Sequence, residues 1–194
     1  MILPIVAYGD PVLKQEAEDI DKDYPNLDEL IENMFETMYN AQGVGLAAPQ
    51  IGKSIRLFIV DASPFGEDEE DEDAQKVKDF KEVFINAEIL EEYGDSWVFK
   101  EGCLSIPNIR EDVSREDVIR IRYYDRDWNL QEKEFDGYAA RIIQHEYDHI
   151  DGILFTDHLN PLKKRLLKRK LQDISKGDVD VSYRMKFPLL KMKR

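Results

Sequence analysis

The feature that most restricts the fold of this chain is a predicted helix over residues 137–150, GYAARIIQHEYDHI. It contains the motif HEYDH, in which His145 and His149 are four residues apart. Side chains at this spacing lie one turn apart on one face of an α-helix, so both imidazoles can bind the same metal ion. Glu146 can take a proton from water at that ion and pass it to a leaving group. The motif therefore predicts a hydrolytic metal site on this helix.

Two further helices are predicted, one on each side of the strand-rich region. Residues 27–39 have apolar side chains at helical spacing, which predicts an amphipathic helix with Asn26 as its cap and Glu29 in the capping-box position. A C-terminal helix is expected to begin at Pro161, with Asn160 as its cap. Its expected apolar stripe is Leu162, Leu166, Leu167, Leu171 and Ile174.

The strands are predicted from β-branched runs and from alternation of apolar and polar residues. They are 55–60, 83–90, 95–99, 119–124 and 128–135, with a weaker candidate at 179–184. The order of helix, strands, helix and helix favours an α+β fold over alternating βαβ units. We expect mixed or antiparallel strands packed around the HEYDH helix, with an N-terminal amphipathic helix and a C-terminal helix.

Length and charge predict one catalytic domain over residues 1–194, with two unusual segments. An acidic surface insert is expected at 64–80, which contains the run EDEEDED, and a basic helix and tail at 161–194, with twelve Lys/Arg and three Asp. The net charge of −14 argues against a general nucleic-acid binder. No apolar run approaches the ~20 residues of a membrane span, and the first residues lack a secretory signal, so we expect a cytoplasmic protein.

The third metal ligand is not given by the HEYDH motif itself. In metalloproteases of the HExxHxxGxxH type the last histidine is the ligand, but here Gly152 is followed by Phe155 at that position. A downstream glutamate cannot serve either, because the chain has no Glu after Glu146. His158 fits an ordinary loop histidine better than a ligand. The best candidate is Cys103, the one cysteine of the chain, whose thiolate would be a charged ligand.

Three segments together resemble the signature motifs of the peptide deformylase family, in the same order and at similar spacing. They are GVGLAAPQIG at 43–52, EGCLSIP at 101–107 and QHEYDHIDG at 144–152. The stretch IVAYGDPVL at 5–13, followed by a long amphipathic helix, is also similar to bacterial members. The resemblance implies a metal-dependent hydrolase of protein biosynthesis. It would remove the N-formyl group from the N-terminal methionine of nascent polypeptides and release formate.

The resemblance also implies a role for each matching residue. The metal ligands would be Cys103, His145 and His149. Glu146 would be the general base and acid, while the Gln50 amide and the Leu104 backbone N–H would donate to the developing oxyanion. The residues expected to contact the substrate or to line and flank its methionine pocket are Val44, Gly45, Glu101, Tyr138, Arg141 and Ile142.

The metal, the partners and the reaction class each leave alternatives at this point. One thiolate and two imidazoles favour zinc, whereas the resemblance implies ferrous iron, with zinc, nickel or cobalt as substitutes. The expected substrate is a formyl-methionyl peptide, and the basic segment 161–194 is a candidate for contact with ribosomal RNA. A peptidase using the same motif, or a binding protein with a structural metal, stays open. Asp148 is either a solvated ion-pair partner or a support for a metal ligand.

Overall fold

Four α-helices and seven strands are present in the computed structural model, which describes residues 1–190. The helices are α1 (Leu27–Asn40), α2 (Glu72–Gln75), α3 (Gly137–Ile150) and α4 (Pro161–Ser175). The strands are β1 (Ile5–Val6), β2 (Gly45–Ala47), β3 (Leu57–Asp61), β4 (Lys81–Cys103), β5 (Ile106–Tyr124), β6 (Leu130–Asp136) and β7 (Met185–Lys186).

The main sheet has five antiparallel strands in the order β2-β3-β4-β5-β6, so strands adjacent in sequence pair with one another. β1 and β7 form a separate parallel pair. The predicted α+β class, with mixed or antiparallel strands around the HEYDH helix, is confirmed. The strands predicted at 83–90 and 95–99 are parts of the single long strand β4, which pairs with β5 through several register shifts. Those irregularities interrupt the alternation that a sequence pattern detects.

The site helix α3 and the first helix α1 pack on opposite faces of the sheet. Leu57 and Ile59 of β3 lie in the hydrophobic cluster that contains α1, whereas Phe58 and Val60 lie in the cluster that contains α3. This follows from the period of two along a strand, which sends successive side chains to opposite faces. β3 is therefore buried on both sides, and α3 is fixed against the centre of the molecule.

Several local predictions need correction. Asn26 precedes α1 but makes no side-chain cap bond, since its backbone is left-handed, with φ of 55°. Asn160 does cap α4, by accepting from Lys163 N–H. Leu167, Leu171 and Ile174 of the predicted stripe are buried, but Leu162 and Leu166 are each 66% exposed. The C-terminal strand lies at Met185–Lys186 rather than 179–184, because its register is set by pairing with Ile5–Val6.

The two charged segments have more structure than a charge pattern suggests. The acidic insert contains a 3₁₀ helix, Ser63–Glu67, and the short helix α2, whose first turn is capped by Asp71. The basic segment predicted at 161–194 forms α4 and then runs back to β7, while its residues 191–194 lie outside the described part of the chain. Within residues 1–190 there is no helix with the length and apolar character needed to span a membrane.

Candidate active site

The predicted metal ligands converge, although Cys103 comes from the end of β4 and the two histidines from α3. Their ligand atoms all lie within 4.8 Å of one another, and Cys103 Sγ is 3.4 Å from His149 Nε2. His145 Nδ1 contacts the Glu101 carboxylate at 2.9 Å, which leaves Nε2 of that ring for an ion. Burial lowers the pKa of His149 well below its usual value, so this imidazole is held neutral, as a ligand must be. The three donors fit a single divalent ion.

A buried carboxylate, Glu101, connects His145 to two guanidinium groups. Its oxygens accept from Arg115 Nε and Nη2 at 2.8 and 3.0 Å and from Arg141 Nη1 at 2.8 Å. Burial alone would raise the pKa of Glu101, but hydrogen bonds and charge from His145 and Arg115 outweigh it and hold the pKa far below its usual range. Glu101 is therefore an anion that orients the His145 ring.

Asp148 extends this charged network through Arg115. Its carboxylate accepts from Arg115 Nη1 at 2.9 Å and contacts His158 Nε2 at 2.7 Å. Asp148 is therefore joined to the ligand His145 through Arg115 and Glu101, rather than being a solvated residue on the helix surface. His158 ends this chain of contacts and is not part of the cluster of ligand atoms.

Glu146 is 4% exposed and lies against the glycine-rich segment. A Cβ atom built on Gly45 would be 2.7 Å from both Cγ and Oε1 of Glu146, so only glycine leaves room for the carboxylate in this position. Glu146 Oε2 has no hydrogen-bond partner among the described residues. Burial raises the pKa of Glu146 to about 7, which places this carboxyl in the range suited to passing a proton near neutral pH.

Two hydrogen-bond donors lie beside the ligand Cys103. Gln50 Oε1 accepts from Ala47 N–H at 3.0 Å, and this bond turns the Gln50 amide nitrogen towards Cys103 Sγ (3.4 Å) and Ser105 Oγ (3.2 Å). Leu104 follows Cys103 in the turn between β4 and β5, and in residues 1–190 its N–H donates to no protein acceptor. Both N–H groups therefore lie close to the Cys103 thiol, where each can donate a hydrogen bond.

A cavity of about 770 Å³ opens onto these residues. Of the residues predicted to contact substrate, those that line it are Val44, Gly45, Glu101, Arg141 and Ile142. Arg141 is 2% exposed and its guanidinium is held by Glu101 and by the carbonyls of Val113 and Trp97. Its cationic group is thus committed to protein partners, and it is not the surface arginine that its charge would suggest.

Tyr138 stands behind the lining of the cavity rather than in it. Its ring stacks on Phe65 at 5.4 Å between centroids and meets Phe99 edge-on at 6.1 Å, and both phenylalanines line the cavity. The Tyr138 hydroxyl donates to Asp71 in the acidic insert at 2.9 Å. The insert therefore contributes an aromatic wall, Phe65, which is supported from behind by Tyr138.

Sequence reasoning missed three residues that the fold brings to the site: Phe65, Arg115 and Tyr183. Phe65 lies two residues before an acidic run that is typical of a solvated loop, and Arg115 lies in a strand among other charged residues. Tyr183 donates to the Leu104 carbonyl at 2.6 Å across 79 positions of sequence. No local pattern marks any of them, since each reaches the site only through contacts with residues distant in sequence.

Comparison with known proteins gives consistent relatives. The family model described as polypeptide deformylase matches residues 2–165. A peptide deformylase of Christiangramia forsetii is 60% identical over 196 residues, with 100% of each chain covered. One of Flavobacterium psychrophilum is 58% identical, with 96% of this chain and 97% of that protein covered.

Solved structures of peptide deformylases are similar as well. That of Ehrlichia chaffeensis matches with a TM-score of 0.80 at 30% identity, covering 92% of this chain and 99% of its own. That of Thermotoga maritima matches with a TM-score of 0.71 at 39% identity, covering 83% of this chain and 99% of its own.

Proposed function

The chain belongs to the peptide deformylase family, and from that premise we propose how its own residues perform the reaction. Its function is to remove the N-formyl group from the N-terminal methionine of nascent polypeptides as a metal-dependent hydrolase. The observation that supports the assignment of roles is the convergence of Cys103, His145 and His149 at a cavity that Cys103, His145 and Glu146 line.

The metal would be held by Cys103, His145 and His149. A divalent ion there supplies Lewis-acid activation of water and of the formyl carbonyl. Glu101 fixes the orientation of His145 and keeps its second ring nitrogen occupied. The one thiolate and two imidazoles provide three ligands, which leaves room for substrate or water, as in hydrolytic sites generally.

Glu146 would move the proton. As general base it takes a proton from the attacking water, and as general acid it gives that proton to the amine that leaves the formyl group. One carboxyl can serve twice because the proton is only passed along, and a pKa raised by burial to about 7 suits both directions. Gly45 keeps the Glu146 side chain in place, since any larger residue would collide with it.

The Gln50 amide and the Leu104 N–H would donate to the oxyanion that develops on the formyl oxygen. This role is supported by the positions of the two groups beside Cys103. The Gln50 amide nitrogen is 3.4 Å from Cys103 Sγ, and Leu104 directly follows Cys103 in the chain. Donors of this kind in a site that excludes water are typically worth ~3–4 kcal/mol each when deleted. The pair therefore accounts for a substantial part of the rate.

The methionine side chain would enter the apolar part of the cavity. Val44, Ile142 and the aromatic rings of Phe65 and Phe99 provide the walls, with Tyr138 supporting Phe65. Arg141 would stabilise the wall of this pocket rather than bind an anionic substrate. Its guanidinium donates to the Glu101 carboxylate and forms a cation–π contact with Trp97 at 4.6 Å.

The experiment that tests these roles is formate release from formyl-Met-Ala-Ser by protein purified without oxygen. We expect Glu146→Gln to lose activity while retaining one metal ion per chain. Glu88→Gln, which removes an exposed carboxylate on β4 paired with Arg122, is the matched control and should be fully active. A Glu146→Gln enzyme as fast as the wild type would exclude Glu146 as the proton carrier. Hydrolysis of a peptide bond in an unformylated peptide, without release of formate, would instead favour a peptidase.

For the metal in the cell we propose Fe²⁺, with Zn²⁺, Ni²⁺ or Co²⁺ as substitutes. The support is the family resemblance together with a donor set that all four ions accept, so supply rather than affinity decides between them. Metal analysis of protein isolated anaerobically from its natural host, compared with formate release after exposure to air, tests this proposal. An iron-free protein with full activity in air would contradict it.

We further propose that the enzyme works in the cytoplasm and associates with the ribosome through α4. Lys168 and Arg169 are exposed on this helix, and the segment 161–194 carries twelve Lys/Arg against three Asp. Such a surface binds phosphates with a strong salt dependence. Lys168→Glu with Arg169→Glu should weaken ribosome co-sedimentation at low salt, whereas Lys22→Glu with Lys53→Glu should not. Equal binding of the two double variants would refute a specific role for α4.

A further inference from the structure

The chain after α4 returns to the active site and borders its cavity. Residues 179–187, here called the C-terminal strap, lie beyond the residues 2–165 that the family model matches. The strap is attached at both ends: Asn108 Nδ2 donates to the Asp180 carbonyl at 2.9 Å, and β7 pairs with β1. Its residues 180–183 line the cavity.

The strap contacts the turn that carries a catalytic donor. In this turn, Leu104 and Ser105 follow the ligand Cys103, and both of their carbonyls are bound from outside. The Tyr183 hydroxyl donates to the Leu104 carbonyl at 2.6 Å, and the Tyr8 N–H donates to the Ser105 carbonyl at 2.8 Å. The turn that holds the Leu104 N–H is therefore fixed by two bonds from distant segments.

The Leu104 side chain adds a third constraint. A Cβ atom built on Gly43 would be 2.8 Å from Leu104 Cδ1, so the leucine packs directly on the glycine-rich segment. Tyr183 and Leu104 are both partly buried against the same hydrophobic cluster, which contains α1. With the side chain packed, the Leu104 backbone can still move by rotation of two peptide planes. The first plane contains the Leu104 N–H, and the second contains the Leu104 carbonyl. The Tyr183 hydroxyl opposes rotation of the second plane.

We propose that Tyr183 is a positioning residue for the reaction, which aims the Leu104 N–H at the developing oxyanion. The two peptide planes meet at the Leu104 Cα, so holding the carbonyl on one side restricts the direction of the N–H on the other. A donor acts on an oxyanion only when it is aligned in advance, because realignment during the reaction costs free energy. This inference rests on the proposed role of Leu104 as an oxyanion donor.

The test is Tyr183→Phe, which removes the hydroxyl and keeps the packed ring. Loss of one hydrogen bond of this kind corresponds to about a two- to tenfold change in an equilibrium or a rate. We expect kcat for formyl-Met-Ala-Ser to fall by about that factor. KM and metal content should stay close to the wild type, and the melting temperature should fall by no more than about 2–4 °C. Tyr93→Phe, which removes a hydroxyl on β4 that contacts Glu134 of β6, is the matched control and should be unaffected.

A thioformyl substrate separates positioning from a general structural effect. Sulfur accepts hydrogen bonds poorly, so the wild type should prefer the oxygen substrate over the sulfur substrate. In Tyr183→Phe this preference should shrink by the same factor as kcat, because the aligned donor acts on oxygen. An unchanged kcat, or a lower kcat with an unchanged oxygen-to-sulfur ratio, would overturn the inference. With either of these two results, an active wild type would still support the deformylase function. An inactive wild type would overturn both that function and this inference.

Discussion

Replacing Glu101 by glutamine tests the charged network that supports the metal ligand His145. The substitution preserves shape but removes the charge that three groups share: Arg115, Arg141 and His145 all contact this carboxylate between 2.8 and 3.0 Å. Glutamine offers one oxygen acceptor in place of two and presents an amide N–H₂ to groups that are themselves donors. At least one N–H group of a buried guanidinium therefore loses its acceptor.

The size of the effect follows from burial. The side chain of Glu101 is 3% exposed and that of Arg141 2%, so water cannot replace the lost contacts. Removing one partner from such a buried ion pair costs about 3–5 kcal/mol of folding free energy. Loss of the group that orients a ligand histidine weakens metal binding by about 10- to 100-fold. The exposed pair Glu88–Arg122, with side chains 60% and 47% exposed, is worth at most about 1 kcal/mol.

The assay compares Glu101→Gln with Glu88→Gln by urea unfolding and by competition for metal with a chelator. We expect Glu101→Gln to lower both the unfolding midpoint and the metal affinity, and Glu88→Gln to change neither appreciably. The network argument would be refuted if the two variants were equally stable and bound metal equally well. Reduced stability with unchanged metal affinity would restrict Glu101 to a structural role.

Three further substitutions examine the ligand, the proton carrier and the pocket. Cys103→Ser should weaken metal binding by more than about 100-fold in chelator competition, since a hydroxyl is a poor substitute for a thiolate; near-normal affinity would remove Cys103 from the ligand set. Gly45→Ala should displace Glu146 and lower kcat at least about tenfold with the metal retained, because its Cβ would be 2.7 Å from that side chain; unchanged kcat would show that Glu146 can move without loss. Phe65→Ala should lower kcat/KM for formyl-Met substrates by about fivefold through lost apolar contact, with less effect on formyl-Ala substrates; an equal loss on both would exclude Phe65 as part of the methionine pocket.

The candidate metal site and the carboxyl that we propose as its proton carrier were accessible from sequence because they depend on local geometry. Helical periodicity fixes the separation of His145 and His149 wherever the helix lies, and Glu146 is attached to the first of them. Cys103 required elimination of other ligands as well as resemblance, because nothing local to it indicates a partner 42 positions away. The α+β class was predictable for a similar reason. Apolar residues repeat every two positions in a half-buried strand and about every 3.6 in a helix, and both periods can be recognised within a short stretch of sequence.

The support of the site depended on the tertiary structure. Arg141 has the sequence character of a surface residue, yet burial against Glu101 and two backbone carbonyls is what defines it. Phe65 reaches the cavity because the insert folds back on Tyr138, and Tyr183 reaches Leu104 because β7 pairs with β1. Such contacts are set by the register of the strands and by the way the loops pack on the core. They are therefore decided by long-range packing, which no window of sequence contains.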